Sequence, residues 1–207
     1  MWDLVPFSVF SIRRTEKVVA FLLLLSFLFE KTAMAEPSLE DAGILPDVLG
    51  ADTVPRNLHP VTVTYGGKTV KPGGFCSPPA AAGCPVVTVK YQLQPGEFMT
   101  VFMTDPDAPS RAHPVAAEWA HWVAISSGNT FDEQTPAPLV YAGPSPPPGT
   151  GSHRYVFLVY KGDKDRLQGI PRSDQRRRWG GKGKADVVAR ENGLTLVGFT
   201  WITSSST

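Results

Sequence analysis

Three short segments concentrate the groups that could do chemistry. The first, DPDAPSR at 105–111, sets two carboxylates, Asp105 and Asp107, in a loop with Pro106 and Pro109 and closes on Arg111. Proline fixes φ and pre-orders such a turn. The second, EWAHW at 118–122, places Glu118 three residues before His121. The third, GPSPPPGTGSHRY at 143–155, is a Pro- and Gly-rich stretch that runs into His153, Arg154 and Tyr155. Such a stretch has no regular ladder, and its backbone N–H groups are free to face a ligand. Imidazole N–H, phenol O–H and free amide N–H are the donors a phosphoryl oxygen wants. Asp105 cannot face a phosphate without an intervening donor. It is expected to orient His121 or His153 and raise its basicity, or to meet an ammonium group. A zwitterionic headgroup needs both signs in one pocket, and this set offers them.

Other chemistries fit these residues less well. Two His and two Asp could suggest a metal, but no ligand pair has zinc-protein spacing, and no metal or cofactor is expected. A serine hydrolase is disfavoured by the lack of a G-x-S-x-G elbow. The GGKGK run at 180–184 fails the phosphate-loop pattern, because Arg178 stands where its first Gly is needed and Ala185 replaces Ser/Thr.

The elements that must carry these groups read as strands. Alternation at 61–65 before Gly66 and Gly67 predicts a strand and hairpin turn. Strands are also expected at 86–93, at 98–104, at 119–126, at 155–160 and at 194–202. The run at 98–104 suits burial on both faces. Alternation in 119–126 puts His121, Val123 and Ile125 on one face and Trp122 and Ala124 on the other; His153 and Tyr155, two apart, also share a face. A helix is expected at 185–191, stopped by Asn192 and Gly193, and a short one is possible near Ile44–Leu49. Each chemical segment thus adjoins one end of an apolar strand, in a single mostly-β domain.

Composition agrees. Gly (19) and Pro (20) are in excess over a chain of 207 residues, while charged residues make up only 19%, which excludes a helical bundle or coiled coil. A net charge of +1 excludes a strongly basic nucleic-acid binder. The apolar run at 18–29 follows Arg13, Arg14 and Lys17 and precedes an A-x-A site ending at Ala35. That is the pattern of a secretory signal, and the run is short for a membrane span. Cleavage near Ala35 would leave a domain at 36–203 with a frayed tail at 204–207, secreted or lumenal; an uncleaved anchor is the alternative. Removing 1–35 takes away four basic and three acidic residues and leaves sixteen of each, a neutral mature chain. Cys76 and Cys84 flank a turn-forming spacer in the exported part and are expected to form a disulfide.

Taken together, the three segments resemble those of the phosphatidylethanolamine-binding protein family. The match runs through 105–111, Glu118, Trp119 and His121, Pro146 and Pro147, and the 149–160 stretch, with a weaker echo at 189–199, and it spans roughly residues 40–202. The resemblance implies a large antiparallel sheet packed against a smaller sheet, with a few short helices. It implies a non-enzymatic pocket for anions or phospholipid headgroups, lined by Asp105, Pro109, His121, Ser145, Pro146, His153 and Tyr155. Asp107, Arg111 and Glu118 are expected to be structural, with Arg111 pairing Asp107 or Glu118, and Arg154 likewise. The basic run from Arg172 to Lys184 is expected to be a solvated loop or a peripheral contact with anionic membrane lipids. The chain is expected to be a monomer without nucleic-acid partners. A different class of function, extracellular protease inhibition through exposed loops near 71–84 or 134–148, is implied by some relatives.

Overall fold

The computed structural model describes Glu40 and residues 42–50, 54–163 and 165–206; the signal-like segment lies outside the described residues. The described residues form β1 (Val61–Tyr65), β2 (Lys68–Val70), β3 (Val86–Val89), β4 (Phe98–Asp105), β5 (Trp119–Ser126), β6 (Thr130–Phe131), β7 (His153–Gly162), helix α1 (Lys184–Glu191) and β8 (Thr195–Ser204), with a 3-10 turn at Arg176–Trp179. The strands make two antiparallel sheets, β2-β1-β3-β6 and β5-β4-β7-β8. The second has strands of eight to ten residues and is the larger.

The larger sheet is covered on both faces. Met99, Val101, Met103, Trp122 and Phe157 pack with Val63, Val87 and Phe131 of the smaller sheet. On the other face, Phe102, Val123, Leu158 and Leu196 meet Ile44, Leu49, Trp179 and Val188. This explains the nearly continuous apolar run of β4, where alternation would have left one face wet. The 44–49 segment makes turns rather than a helix and still buries Ile44, Val48 and Leu49.

Several boundaries differ from expectation for local reasons. β3 stops at Val89 instead of running to 93, because its next partner is Pro60, which accepts from the Lys90 N–H but has none to give. Ser204, expected to begin a frayed tail, is the last residue of β8, fully buried and paired with His153. α1 ends as expected: Gly193 takes a left-handed φ of 74° and Leu194 N–H returns to the Ala189 carbonyl.

Cys76 and Cys84 are free thiols, so the expected bridge is not formed. Other contacts secure this segment. The Cys76 N–H donates to Thr203 O, the spacer closes on itself through Ala81 N–H to Ser77 O, and Tyr141 Oη donates to Ala81 O at 2.7 Å. Burial raises both thiol pKa values, Cys84 to about 11.

Candidate functional site

The antiparallel register assembles the site. β4 runs toward one end of the sheet, where β5 and β7 begin, so Thr104 sits between Ala120 and Val156, and Asp105 opposite Trp119. The chemical groups at the end of β4 and at the starts of β5 and β7 therefore converge. A cavity of about 650 Å³ opens there. Its wall brings together Asp105, Pro109, His121, Ser145, Pro146, His153 and Tyr155. Gly143 forms part of the wall, and a Cβ there would strike the Ala81 carbonyl.

His121 does not follow the expected alternation. Met103 pairs with Trp122 while Thr104 pairs with Ala120, so His121 is the extra residue of a β-bulge. A bulge re-aims a side chain. Ala120 and Val123 consequently share one core and Trp122 and Ala124 the other. His121 turns to the cavity and meets Tyr155 edge-on, with ring centroids 5.0 Å apart. Its Nδ1 lies 2.7 Å from Ala142 O. A carbonyl only accepts, so Nδ1 carries the proton and Nε2 is left for a ligand. Burial lowers the His121 pKa, and the ring is neutral at pH 7.

His153 has the opposite character. Its Nδ1 is 2.8 Å from Asp105 Oδ2, and its Nε2 is 3.0 Å from Thr150 Oγ1. The Thr150 hydroxyl proton goes to Pro147 O at 2.7 Å, so Oγ1 accepts from His153. Both ring nitrogens then donate, which describes an imidazolium. Burial opposes that charge, but the Asp105 carboxylate, the nearby Asp107 charge and the Pro109 carbonyl outweigh it and raise the pKa. Asp105 Oδ1 also accepts the Asp107 N–H at 2.7 Å. The His153 ring stacks on Tyr155 at 6.4 Å. Burial, and then the Asp105 charge, hold the Tyr155 phenol protonated, and the Ser145 amide faces its oxygen.

Of the residues expected to be structural, Asp107 and Glu118 are buried and hydrogen-bonded, and Arg111 is not. Asp107 binds Arg154, not Arg111: Oδ2 accepts Nε at 2.9 Å and the backbone N–H at 2.8 Å, and Oδ1 accepts Nη2 at 2.7 Å. Arg154 also reaches Asp47 and the Gly43 carbonyl. Arg111 is exposed and makes no ion pair with Glu118. Glu118 is fully buried, and its Oε2 accepts the Ala185 N–H at 2.8 Å at the start of α1. The basic run divides: Arg172 and Arg177 face solvent, Lys182 pairs with Asp47, and Arg176 is buried.

The sequence alone did not single out Thr150, the Ala142 carbonyl, Trp119 as a wall or Arg176. Thr150 had a signal, standing three residues before His153 in the loop that must fold back on it. Among the described residues no group of three or more His, Cys, Asp and Glu is placed to hold a metal ion.

A family model described as phosphatidylethanolamine-binding protein matches residues 67–195. The chain belongs to the phosphatidylethanolamine-binding protein family. Solved relatives share its architecture. A phosphatidylethanolamine-binding protein from Plasmodium falciparum is 25% identical, with a TM-score of 0.71 over 83% of this chain and 99% of that one. One from Plasmodium vivax is 24% identical, with a TM-score of 0.69 over 84% and 100%, a likeness of fold. A carboxypeptidase Y inhibitor, solved in complex with its cognate proteinase, is 27% identical, with a TM-score of 0.69 over 82% and 93%. In this member of the family the three chemical segments lie at one end of the larger sheet.

Proposed function

We propose that this protein is exported and acts without catalysis, binding a small anion or a phospholipid headgroup such as phosphoethanolamine in the cavity between β4, β5 and β7. The observation that carries this is the unlike state of the two histidines. His153 donates from both ring nitrogens and its positive charge is balanced by Asp105, while His121 offers an unoccupied Nε2 beside the Tyr155 phenol. A phosphomonoester can share a proton with Nε2 and accept from the phenol. Asp105 supplies the negative side that an ammonium group needs. The hydroxyl that stands against a histidine, Thr150 Oγ1, accepts from the protonated His153 ring and gives its own proton to Pro147 O, which argues for binding over turnover. Outward-facing Arg172 and Arg177 would add peripheral attraction to an anionic leaflet, at about 1 kcal/mol per residue. Calorimetry with inorganic phosphate and with O-phosphoethanolamine tests the reading. His121→Ala should lose at least tenfold in affinity at unchanged melting temperature. Unchanged affinity would overturn the site.

A second reading is inhibition of an extracellular protease, favoured by the 27% identity to a protein crystallised with its proteinase. It would use the loop at 71–84, where Phe75 is 62% exposed, or the loop at 134–148. His121→Ala should then leave inhibition intact, whereas an inhibition lost with it would tie the protease to the cavity.

A further inference from the structure

Arg176 belongs to the run expected to be a solvated loop, yet it is 8% exposed. Its Nη1 donates to Ala120 O at 3.0 Å and His121 O at 2.7 Å, and its Nη2 to Val140 O at 2.8 Å. All three acceptors are carbonyls, and among the described residues no carboxylate lies within ion-pair distance of it. The neighbouring buried charges are matched: Asp105 by His153, Asp107 by Arg154, Asp186 by Arg190. Arginine cannot escape by losing its proton, so this charge stays buried and unmatched.

Arg176 borders the cavity and an adjoining basin of about 440 Å³, which it lines with Trp119, Ser173, Asp174, Gln175 and Arg177. The charges around the cavity can be counted. Asp105 and His153 cancel and His121 is neutral. Arg176 is left as one net positive charge in the wall, with Arg177 at the rim. The two histidines thus supply shape and a proton-sharing atom, while the attraction for a negative ligand comes from elsewhere. Two of the three carbonyls held by Arg176 belong to Ala120 and His121, the residues at the register shift. The third belongs to Val140, next to Leu139, which bridges to Val123 of β5. One planar fork therefore pins the bulge that turns His121 into the cavity.

We propose that Arg176 is the charge that makes the cavity select an anion. This rests on the anion-binding reading above. The charged and titratable groups facing His121 are Asp105, which favours its imidazolium, His153 and Arg176, which oppose it, and the Tyr155 phenol, which stays neutral. Removing Arg176 should therefore weaken anion binding and let His121 protonate at higher pH.

The test measures inorganic phosphate affinity and the His121 ring titration by NMR on the full chain and on Arg176→Met and Arg176→Lys. The expected result is at least a tenfold loss of affinity in Arg176→Met, no more than threefold in Arg176→Lys, and an upward move of the His121 midpoint in ligand-free Arg176→Met. Equal losses in the two variants would show a purely structural role and overturn the proposal, as would a His121 midpoint that does not move. If Arg176→Met does not fold, folded Arg176→Lys decides: retained affinity supports the proposal, and a tenfold loss overturns it. A wild-type chain that binds no phosphate would overturn the anion-binding reading, while the ligand-free His121 titration would still judge the influence of Arg176.

Discussion

Asp105 Oδ2 lies 2.8 Å from His153 Nδ1, joining the last residue of β4 to the first of β7. The pair fixes the protonation of one histidine and, through Asp105 Oδ1 on the Asp107 N–H, the path of the loop that walls the cavity. His153 spends its second nitrogen on Thr150. The two histidines of the site therefore differ in kind: His153 is built in and His121 is available.

The first prediction separates them by stability. His153→Ala strands a buried Asp105 carboxylate, and removal of one partner of a buried pair costs about 3–5 kcal/mol. His121→Ala deletes a neutral ring at a cavity wall and should cost far less. Urea unfolding at pH 6 measures both. Because the folded His153 pKa is raised, the pair's contribution is complete below the unfolded value of about 6.5 and fades as pH rises through the folded value. Asp105→Asn should remove that alkaline fade. Equal destabilisation by the two His→Ala changes would contradict the division.

The second prediction concerns ligand affinity and pH. The free His121 pKa is lowered by burial, whereas a phosphate at Nε2 favours the ring's second proton or supplies one of its own. Above the ligand's own second pKa of about 6, both free partners have lost that proton, so binding takes one up from solution. Affinity for phosphoethanolamine should fall as pH rises from 6 to 8, by up to about tenfold per unit. His121→Gln should flatten the profile. A profile unchanged by that substitution would place the coupled proton elsewhere.

The sequence reached the site further than it reached the partners. Strand periodicity located Asp105, His153 and Tyr155 at strand ends, because a two-residue repeat is local. The facing of His121 was misjudged, since a bulge is a property of two strands in register and shows only when Met103 and Thr104 find their partners. Asp107 was read as structural, but its partner is Arg154 rather than the nearer Arg111, because the β4–β7 pairing brings Arg154 backbone and guanidinium to it together. A run of like charges hid Arg176, whose burial depends on carbonyls from 120, 121 and 140. The cysteine spacing suggested a covalent clip where hydrogen bonds to Ser77, Thr203 and Tyr141 hold the segment.

The third prediction follows from those thiols. Ellman's titration of the unfolded chain should count two. In the folded chain Cys84, with its pKa pushed to about 11 by burial and the charges of Asp132 and Glu133, should alkylate at pH 7.4 roughly a hundredfold more slowly than an ordinary thiol. Cys76, buried, should react only after unfolding. Recovery of no thiols from protein purified without reductant would mean that the pair oxidises after all.

The fourth prediction is a pH signature from Glu118. This carboxyl caps α1 from β5's approach, through the Ala185 N–H, and its other oxygen has no hydrogen-bond partner. Burial, helped by the charge of Asp186, raises its pKa to about 8, against the pull of the amides of residues 183–185. A raised acid binds a proton in the folded chain that the unfolded chain has released above its own value near 4.5. Its contribution is therefore complete below pH 4.5 and is lost as pH rises toward 8, with a slope of at most about 1.4 kcal/mol per unit. Glu118→Gln is neutral at every pH and should abolish this component. The stability difference between the variant and wild type should thus grow in the variant's favour between pH 6 and 8.5. His153 and His121 titrate in both proteins, so the difference isolates Glu118. A pH-independent difference, or a variant that loses stability relative to wild type at pH 8, would mean that Glu118 caps the helix as a carboxylate and that the helix N-terminus outweighs its burial.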